Sequence, residues 1–172
     1  MFAVRTGSGA PTRRKPHPVS SHARRVASND TLFARNLLAW WRGYAGDAAG
    51  AVEASRDVLA DRVRVLGPDD PDTLTSRYDL AAWRGEAGDP ASAVASLQEL
   101  LADQLRLLGP DNHYTLITRF DLAYWRARAG DPVGAVAELK SVLSDRLRML
   151  GPHHPDTTAT LTELGKWRDK PG

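Results

Sequence analysis

The 172-residue sequence contains no cysteine, only four lysines and no long apolar segment. Without cysteine, the chain has no disulfide bond, no thiol nucleophile and no cysteine-ligated zinc or iron–sulfur centre. The longest uninterrupted apolar run covers residues 37–41, whereas a membrane-spanning helix needs about 20 apolar residues. The preference for arginine over lysine is typical of GC-rich coding DNA and favours a bacterial source. We therefore expect a cytoplasmic protein that does not cross a membrane.

Enzymatic signatures are also missing from the sequence. It contains no G-x-S-x-G nucleophile elbow, no G-x-x-x-x-G-K-S/T phosphate loop and no H-E-x-x-H motif. Asp156 lies near the adjacent histidines His153 and His154, but nothing indicates a third ligand, and a metal site needs several that converge. Loop structure is the prediction for these histidines. We expect no enzymatic activity, no catalytic residue, no bound metal and no cofactor.

Basic residues are concentrated at the amino terminus. Residues 1–29 contain six arginine or lysine residues and no acidic residue, whereas the remainder has 17 basic and 21 acidic residues. Prolines at positions 11, 16 and 18 and a low apolar content predict a disordered arm over residues 1–28, because such a segment buries too little apolar surface to offset the entropy of ordering. An unstructured tail is the simplest interpretation, and contact with nucleic acid is the alternative.

The most informative feature of the sequence is an internal repeat. Residues 73–114 and 115–156 are identical at 23 of 42 positions without a gap. A tryptophan recurs every 42 residues, and so does a Leu-Gly-Pro triplet that begins at Leu66 in the first unit. Self-similarity at a fixed period of this length is typical of stacked helical or strand repeats. The recurring tryptophans are Trp41, Trp83, Trp125 and Trp167.

Each unit is predicted to contain two helices. Apolar residues between 93 and 108 follow a 3.6-residue period, as do those between 135 and 150. In Gly88-Asp89-Pro90 the glycine can end one helix, the aspartate can cap the next, and the proline suits its first turn. Asp72 and Asp156 are predicted to cap the helices that follow the Leu-Gly-Pro triplets. The predicted helices lie near 31–45, 48–66, 73–87, 90–108, 115–129, 132–149 and 157–167.

Several stretches resemble tetratricopeptide repeats, namely LGPHHPDT at 150–157, DLAYWRARAGD at 121–131 and AVAELKSVL at 135–143. The 42-residue period and the LG-x-x-HPDT link are similar to the kinesin-light-chain subtype, as found in bacterial repeat proteins associated with NB-ARC signalling ATPases. The resemblance implies an all-α, right-handed α-solenoid of antiparallel helix pairs, with three repeats and one capping helix. The domain prediction is a solenoid over 29–168, with units at about 31–72, 73–114 and 115–156, the cap at 157–167 and a tail at 169–172.

Three arginine–aspartate pairs are predicted within the helix pairs. If the two helices of a unit are antiparallel and turn near residues 89–90, then Arg77 faces Asp103. The same geometry recurs in the other two units, always with 26 residues between the partners. A charge pair that is repeated in register is more typical of a structural role than of a catalytic one. The other two pairs are Arg35 with Asp61 and Arg119 with Asp145.

A second set of positions varies between the units and lies along one stripe of each first helix. Positions that vary can adapt to a ligand, and the resemblance places the interaction groove of such repeats on this face. Packing against the adjacent repeat is an equally good interpretation of the aromatic members, whereas the recurring tryptophans are assigned to the core. The predicted groove residues are Phe33, Asn36, Trp40, Tyr44, Tyr78, Phe120, Tyr124 and Arg128.

The functional prediction is a non-enzymatic module that binds a peptide or protein segment in a helical-repeat groove. Two alternatives stay open: a detached sensor portion of a signalling-ATPase system, and a nucleic-acid-associated protein that uses the basic arm. Leu37, Leu38, Trp40 and Trp41 also crowd the first helix with no preceding repeat to cover them. An uncovered apolar patch of this kind predicts a partner, self-association or a folded-over arm at the amino-terminal end, and a homodimer is the simplest of these outcomes.

Overall fold

The computed structural model describes residues 21–168, with side chains described for 29–167. The described residues form seven helices and no strand, and consecutive helices pack against each other as a helical solenoid of antiparallel pairs. None of these helices is long and apolar enough to span a bilayer. The helices are α1 Ser21–Tyr44, α2 Ala48–Leu66, α3 Pro71–Glu86, α4 Pro90–Leu107, α5 His113–Arg128, α6 Pro132–Leu150 and α7 Pro155–Arg168.

The turns inside the three helix pairs form as the Gly-Asp motif predicts. Asp47, Asp89 and Asp131 are the N-cap residues of α2, α4 and α6, and each side chain accepts a hydrogen bond from a backbone amide three residues later. The glycine before each aspartate has a positive φ, between 93° and 98°, a conformation that glycine adopts without steric cost. These caps are confirmed, and they satisfy amides that the first helical turn leaves unpaired.

The predicted caps of the helices that begin each new repeat are wrong. Asp70 rather than Asp72 caps α3, and its carboxylate accepts a hydrogen bond from the Asp72 amide at 3.0 Å. Before α7, the same position holds His154, whose Nδ1 accepts from the Asp156 amide at 3.2 Å. Proline can occupy the first helical turn directly after such a cap, so these helices begin two residues earlier than predicted.

The first helix also begins earlier than predicted. Helix α1 starts at Ser21, so residues 21–28, which were assigned to the disordered arm, belong to a helix. The prolines end at position 18, and the alanines and arginines that follow have high helix propensity. The rest of the predicted arm, residues 1–20, and the tail at 169–172 lie outside the described residues.

The repeats are joined by tryptophan rings that lie against glycines. The ring of Trp83 packs over Gly43 of the preceding repeat, and the ring of Trp125 packs over Gly85 in the same way. Both tryptophans are buried, which confirms their assignment to the core, but the same assignment is wrong for Trp41, which is 63% exposed because no helix pair among the described residues precedes it. Since an added Cβ at Gly85 would lie 2.5 Å from the Trp125 ring, this close approach requires glycine.

Candidate functional site

The three arginine–aspartate pairs are present, and each joins the two helices of one repeat. The Nη1 atom of Arg77 lies 2.6 Å from Asp103 Oδ2, and the pairs in the first and third repeats are separated by 2.6 and 2.8 Å. Arg35 in the first pair is considerably exposed, whereas Arg119 in the third is only 14% exposed. The pairs therefore connect the two helices of each hairpin.

Arg119 has the fullest set of partners of the three arginines. In addition to Asp145, its Nε donates to Glu138 Oε1 at 2.7 Å and its Nη2 donates to Ser141 Oγ at 2.8 Å. These acceptors raise the pKa of the guanidinium against the opposing effect of burial. The side chain is thus a permanent cation enclosed by α6, and its charge is fully compensated there.

Two of the predicted groove residues connect one repeat to the next. Asn36 Nδ2 donates to Asp79 Oδ2 at 2.9 Å, and the Tyr78 hydroxyl donates to Asp121 Oδ2. In both cases the donor lies on the first helix of one repeat and the acceptor on the first helix of the following repeat. Asn36 and Tyr78 therefore have a structural role at the repeat junctions, whatever else they contact.

Aromatic side chains from the first two repeats form a cluster on the predicted groove face. The ring of Trp40 lies 5.6 Å from that of Trp83, and the ring of Tyr44 lies 5.8 Å from the same tryptophan, both edge to face. Tyr44 is nevertheless 70% exposed, and Phe33, also on α1, is exposed as well. This end of the face therefore presents aromatic surface that no described residue covers.

The third repeat presents a different surface on the same face. The Arg128 guanidinium stacks 3.3 Å above the centre of the Tyr124 ring, and its Nη1 lies 3.8 Å from Glu163 Oε1 of α7. Phe120 packs against buried alanines, and the guanidinium of Arg146 lies 5.1 Å from its ring. Arg128 is exposed, whereas Tyr124 and Phe120 are both half-buried and pack against core residues.

Two carboxylates lie beneath this face, the buried Asp79 and the half-buried Asp121, and the sequence analysis did not single them out. Burial raises the pKa of both Asp79 and Asp121, because a charged carboxylate loses hydration there. Hydrogen bonds from Asn36 and Trp40 lower the pKa of Asp79 again, and the hydroxyl of Tyr78 has the same effect on Asp121. A detectable signal existed, since acidic residues recur at 79, 121 and 163 with the 42-residue period.

A pocket of about 470 Å³ opens between α3 and α5 on the predicted groove face. The last turns of α4 contribute Gln104 and Leu108, and α1 contributes Trp40. The lining contains no lysine or arginine, whereas three aspartates lie along it. The residues that surround the pocket are Trp40, Asp69, Pro71, Asp72, Leu74, Thr75, Tyr78, Asp79, Gln104, Leu108, Asn112, Tyr114, Ile117 and Thr118.

The histidine pair does not form part of a metal site within the described residues. His154 caps α7 through Nδ1, and His153 lies exposed in the loop. Across residues 29–167, no three histidine, aspartate or glutamate side chains converge as metal ligands. The loop assignment of these residues thus has a structural explanation in the cap of α7.

The amino-terminal end of the solenoid exposes residues that are buried in the other repeats. Leu38 and Trp41 are each 63% exposed, whereas the equivalent Leu80 and Trp83 are 5% and 7% exposed. A shallow cavity of about 550 Å³ lies beside them. The difference arises because no preceding helix pair among the described residues covers this face of α1.

Comparison with known proteins indicates the same class of protein as the fold does. The sequence matches the family "Tetratricopeptide repeat" over residues 31–72 and 73–114. No curated protein matches the chain. Among solved structures, the chain is similar to the nearly identical TPR-like repeats of a Podosopora anserina protein assigned as a kinesin light chain, with 26% identity and a TM-score of 0.73 over 79% of this chain and 64% of that one.

A second solved structure shares the fold. BtubC (BKLC) from P. vanneervenii has a TM-score of 0.71 and 19% identity over 81% of this chain and 56% of that one. The chain therefore spans less than two thirds of the length of both structures. Two of the three repeats thus match the tetratricopeptide-repeat family, and the helical solenoid is consistent with a tetratricopeptide-repeat protein. Its repeats are similar to those of kinesin light chains, and the family is a non-enzymatic scaffold for protein interactions.

Proposed function

We propose that this chain binds a peptide or protein segment along the face formed by the first helices of its repeats, α1, α3 and α5. The observation that carries the proposal is the combination of accessible aromatic and cationic side chains with a pocket on one continuous face. Aromatic and arginine side chains dominate the binding energy of protein interfaces. Phe33, Tyr44, Tyr124 and Arg128 provide such contacts, and cytoplasmic localisation would suit this role.

Substitution of accessible groove residues tests this proposal. Phe33→Ala and Tyr124→Ala should each weaken the binding of a captured partner by at least about fivefold, because hot-spot truncations cost more than about 1 kcal/mol. Phe33→Ala should leave the melting temperature nearly unchanged because Phe33 is exposed, whereas Tyr124→Ala should lower it moderately because the half-buried Tyr124 ring packs against the core. Val133→Ala, on the exposed surface of α6, is the matched control and should bind normally. Unchanged affinity in both groove variants, measured by titration calorimetry, would contradict the proposal.

The exposed end of α1 supports a second contact, a homodimer through the amino-terminal end. Leu38 and Trp41 form an apolar patch at the position where the other repeats bury the same residue types. Large exposed apolar patches typically mark interaction sites. A second copy of the chain is the simplest occupant, since it brings the same patch to a twofold-symmetric interface.

Light scattering over a range of concentrations tests the dimer. The wild-type protein should show a mass that rises with concentration, and Trp41→Glu should remain monomeric because a charge at the interface loses hydration without a partner. Leu161→Glu, which changes an exposed leucine at the opposite end, should still dimerise. A strict monomer at high concentration in all three proteins would exclude the dimer.

A further inference from the structure

At one position of the repeat, the middle unit has a different residue from the other two units, and this residue lies at the pocket. Residues 62, 104 and 146 are equivalent in the 42-residue repeat, and they are arginine, glutamine and arginine. All three side chains are buried, and Gln104 is 3% exposed. The pocket of about 470 Å³ includes Gln104 in its lining. The middle junction therefore lacks a guanidinium that both other junctions contain.

The two arginines show what a guanidinium does at this position. Arg62 Nη1 donates to the Asp72 carbonyl at 2.8 Å and to Ser76 Oγ at 2.7 Å. Arg146 Nη1 repeats the arrangement with the carbonyl of Asp156, at 2.9 Å, and a threonine hydroxyl. In each case a cation from the second helix of one repeat binds the first turns of the following helix.

The same acceptors are present in the middle junction, but no cation among residues 29–167 reaches them. A shift of 42 residues places the Tyr114 carbonyl and the Thr118 hydroxyl in the equivalent positions, and both residues line the pocket. The Oε1 atom of Gln104 is buried and has no hydrogen-bond partner. A buried acceptor without a donor is costly, so the pocket can receive donors that the described residues do not supply.

The electrostatics of the pocket favour a cation. The exposed Asp69 is paired with Arg106, whereas Asp72 and Asp79 accept hydrogen bonds from uncharged asparagine amides. By the repeat geometry, Gln104 is placed relative to Asp121 as Arg62 is placed relative to Asp79. It is also placed relative to Asp79 as Arg146 is placed relative to Asp121. Burial raises the pKa of both carboxyl groups, and the nearby guanidinium of Arg62 at Asp79 or of Arg146 at Asp121 offsets this effect only in part.

We propose that the pocket between α3 and α5 binds an arginine side chain of the partner segment, which supplies in trans the guanidinium that Arg62 and Arg146 supply at the other junctions. The guanidinium donates to Gln104 Oε1 and to the acceptors of Tyr114 and Thr118. Its methylene stem packs on the leucine and isoleucine side chains of the lining. This inference rests on the proposed function, because it assigns one contact of the same binding face.

A titration with arginine analogues tests the pocket directly. N-acetyl-arginine methylamide, added to nitrogen-15-labelled protein, should shift the resonances of Gln104 and of residues 112–118 with a Kd in the millimolar range, as expected for a ligand of this size. The citrulline analogue keeps the shape without the charge, and the norleucine analogue keeps only the apolar stem. Both should bind at least tenfold more weakly, because the pocket selects for charge.

Two glutamine-to-arginine variants provide the matched comparison. Gln104→Arg should raise the melting temperature and weaken binding of the arginine analogue at least tenfold, because the new side chain occupies the pocket as in the neighbouring junctions. Gln98→Arg makes the same chemical change at an exposed position of α4 and should bind like the wild type. Equal binding of all three analogues, unchanged binding by Gln104→Arg, or no saturable shift at the pocket would each overturn the inference.

The outcome for the partner separates this inference from the proposed function. A partner that requires Tyr124 but binds Gln104→Arg with wild-type affinity would overturn the arginine pocket and leave groove binding intact. A partner whose affinity is unchanged by Phe33→Ala and Tyr124→Ala would instead contradict groove binding. Loss of affinity in Gln104→Arg, with normal binding by Gln98→Arg, supports the assignment of the arginine contact.

Discussion

Arg119→Ala is expected to lower the free energy of unfolding by about 2–3 kcal/mol, because hydrogen bonds to charged groups are each worth about 1.5–3 kcal/mol and are only partly replaced by water. The side chain is 14% exposed, and its removal leaves Glu138 and Asp145 close together without their shared cation. Chemical denaturation monitored by circular dichroism measures this loss.

Arg35→Ala is the matched control for this prediction. It removes the equivalent arginine of the first repeat, whose pair with Asp61 is exposed to solvent, so the loss should be clearly smaller. A double-mutant cycle of Arg119 and Asp145 should show coupling, with Asp145→Ala costing less when Arg119 is already absent. Strictly additive losses, or an equal effect of the two arginine substitutions, would show that the enclosed pair does not hold the hairpin.

Gly85→Ala is expected to destabilise the stack by about 1–3 kcal/mol, since overpacking of a well-packed interface costs this much. The added methyl would lie 2.5 Å from the ring of Trp125, and that ring is buried and cannot move freely. The substitution should therefore lower the melting temperature even though alanine has the higher helix propensity.

Gly165→Ala tests whether contact with the ring, and not the loss of glycine, causes this effect. Gly165 lies in α7, and an added Cβ would meet no atom within 4 Å. Helix propensity then acts alone and should stabilise the protein by about 0.5–1 kcal/mol. If both alanine variants were equally stable, the tight packing of Trp125 against Gly85 would not contribute to the junction.

The order and type of the helices could be predicted from the sequence because the determinants are local. The apolar period and the caps at Asp47, Asp89 and Asp131 act within a few residues of the turns that they define. The arginine–aspartate pairs could also be predicted from the sequence, because the position of the turn fixes which residues of an antiparallel hairpin face each other. The start of α1 was missed because the arm composition outweighed the helix propensity of residues 21–28.

The groove face could be identified only in outline. The varying stripe includes exposed residues such as Phe33 and Tyr44, but Asn36 and Tyr78 in the same stripe bind carboxylates of the next repeat. A stripe on one helix does not reveal which of its positions the neighbouring repeat covers. That depends on how far one helix pair is displaced and rotated from the next.

The sequence by itself determined the repeat, its period, its helices and the chemical character of each position, since all of these follow from local propensity and internal identity. Only the tertiary structure decided which positions are accessible and which are covered by a neighbouring repeat. The sequence shows that position 104 holds glutamine where the other two repeats hold arginine. The pocket that results, with the buried Asp79 in its lining, becomes visible only when α3, α4 and α5 are packed together. The physical reason is that burial and hydrogen bonding between repeats depend on side chains some 40 residues apart, which no local pattern can place.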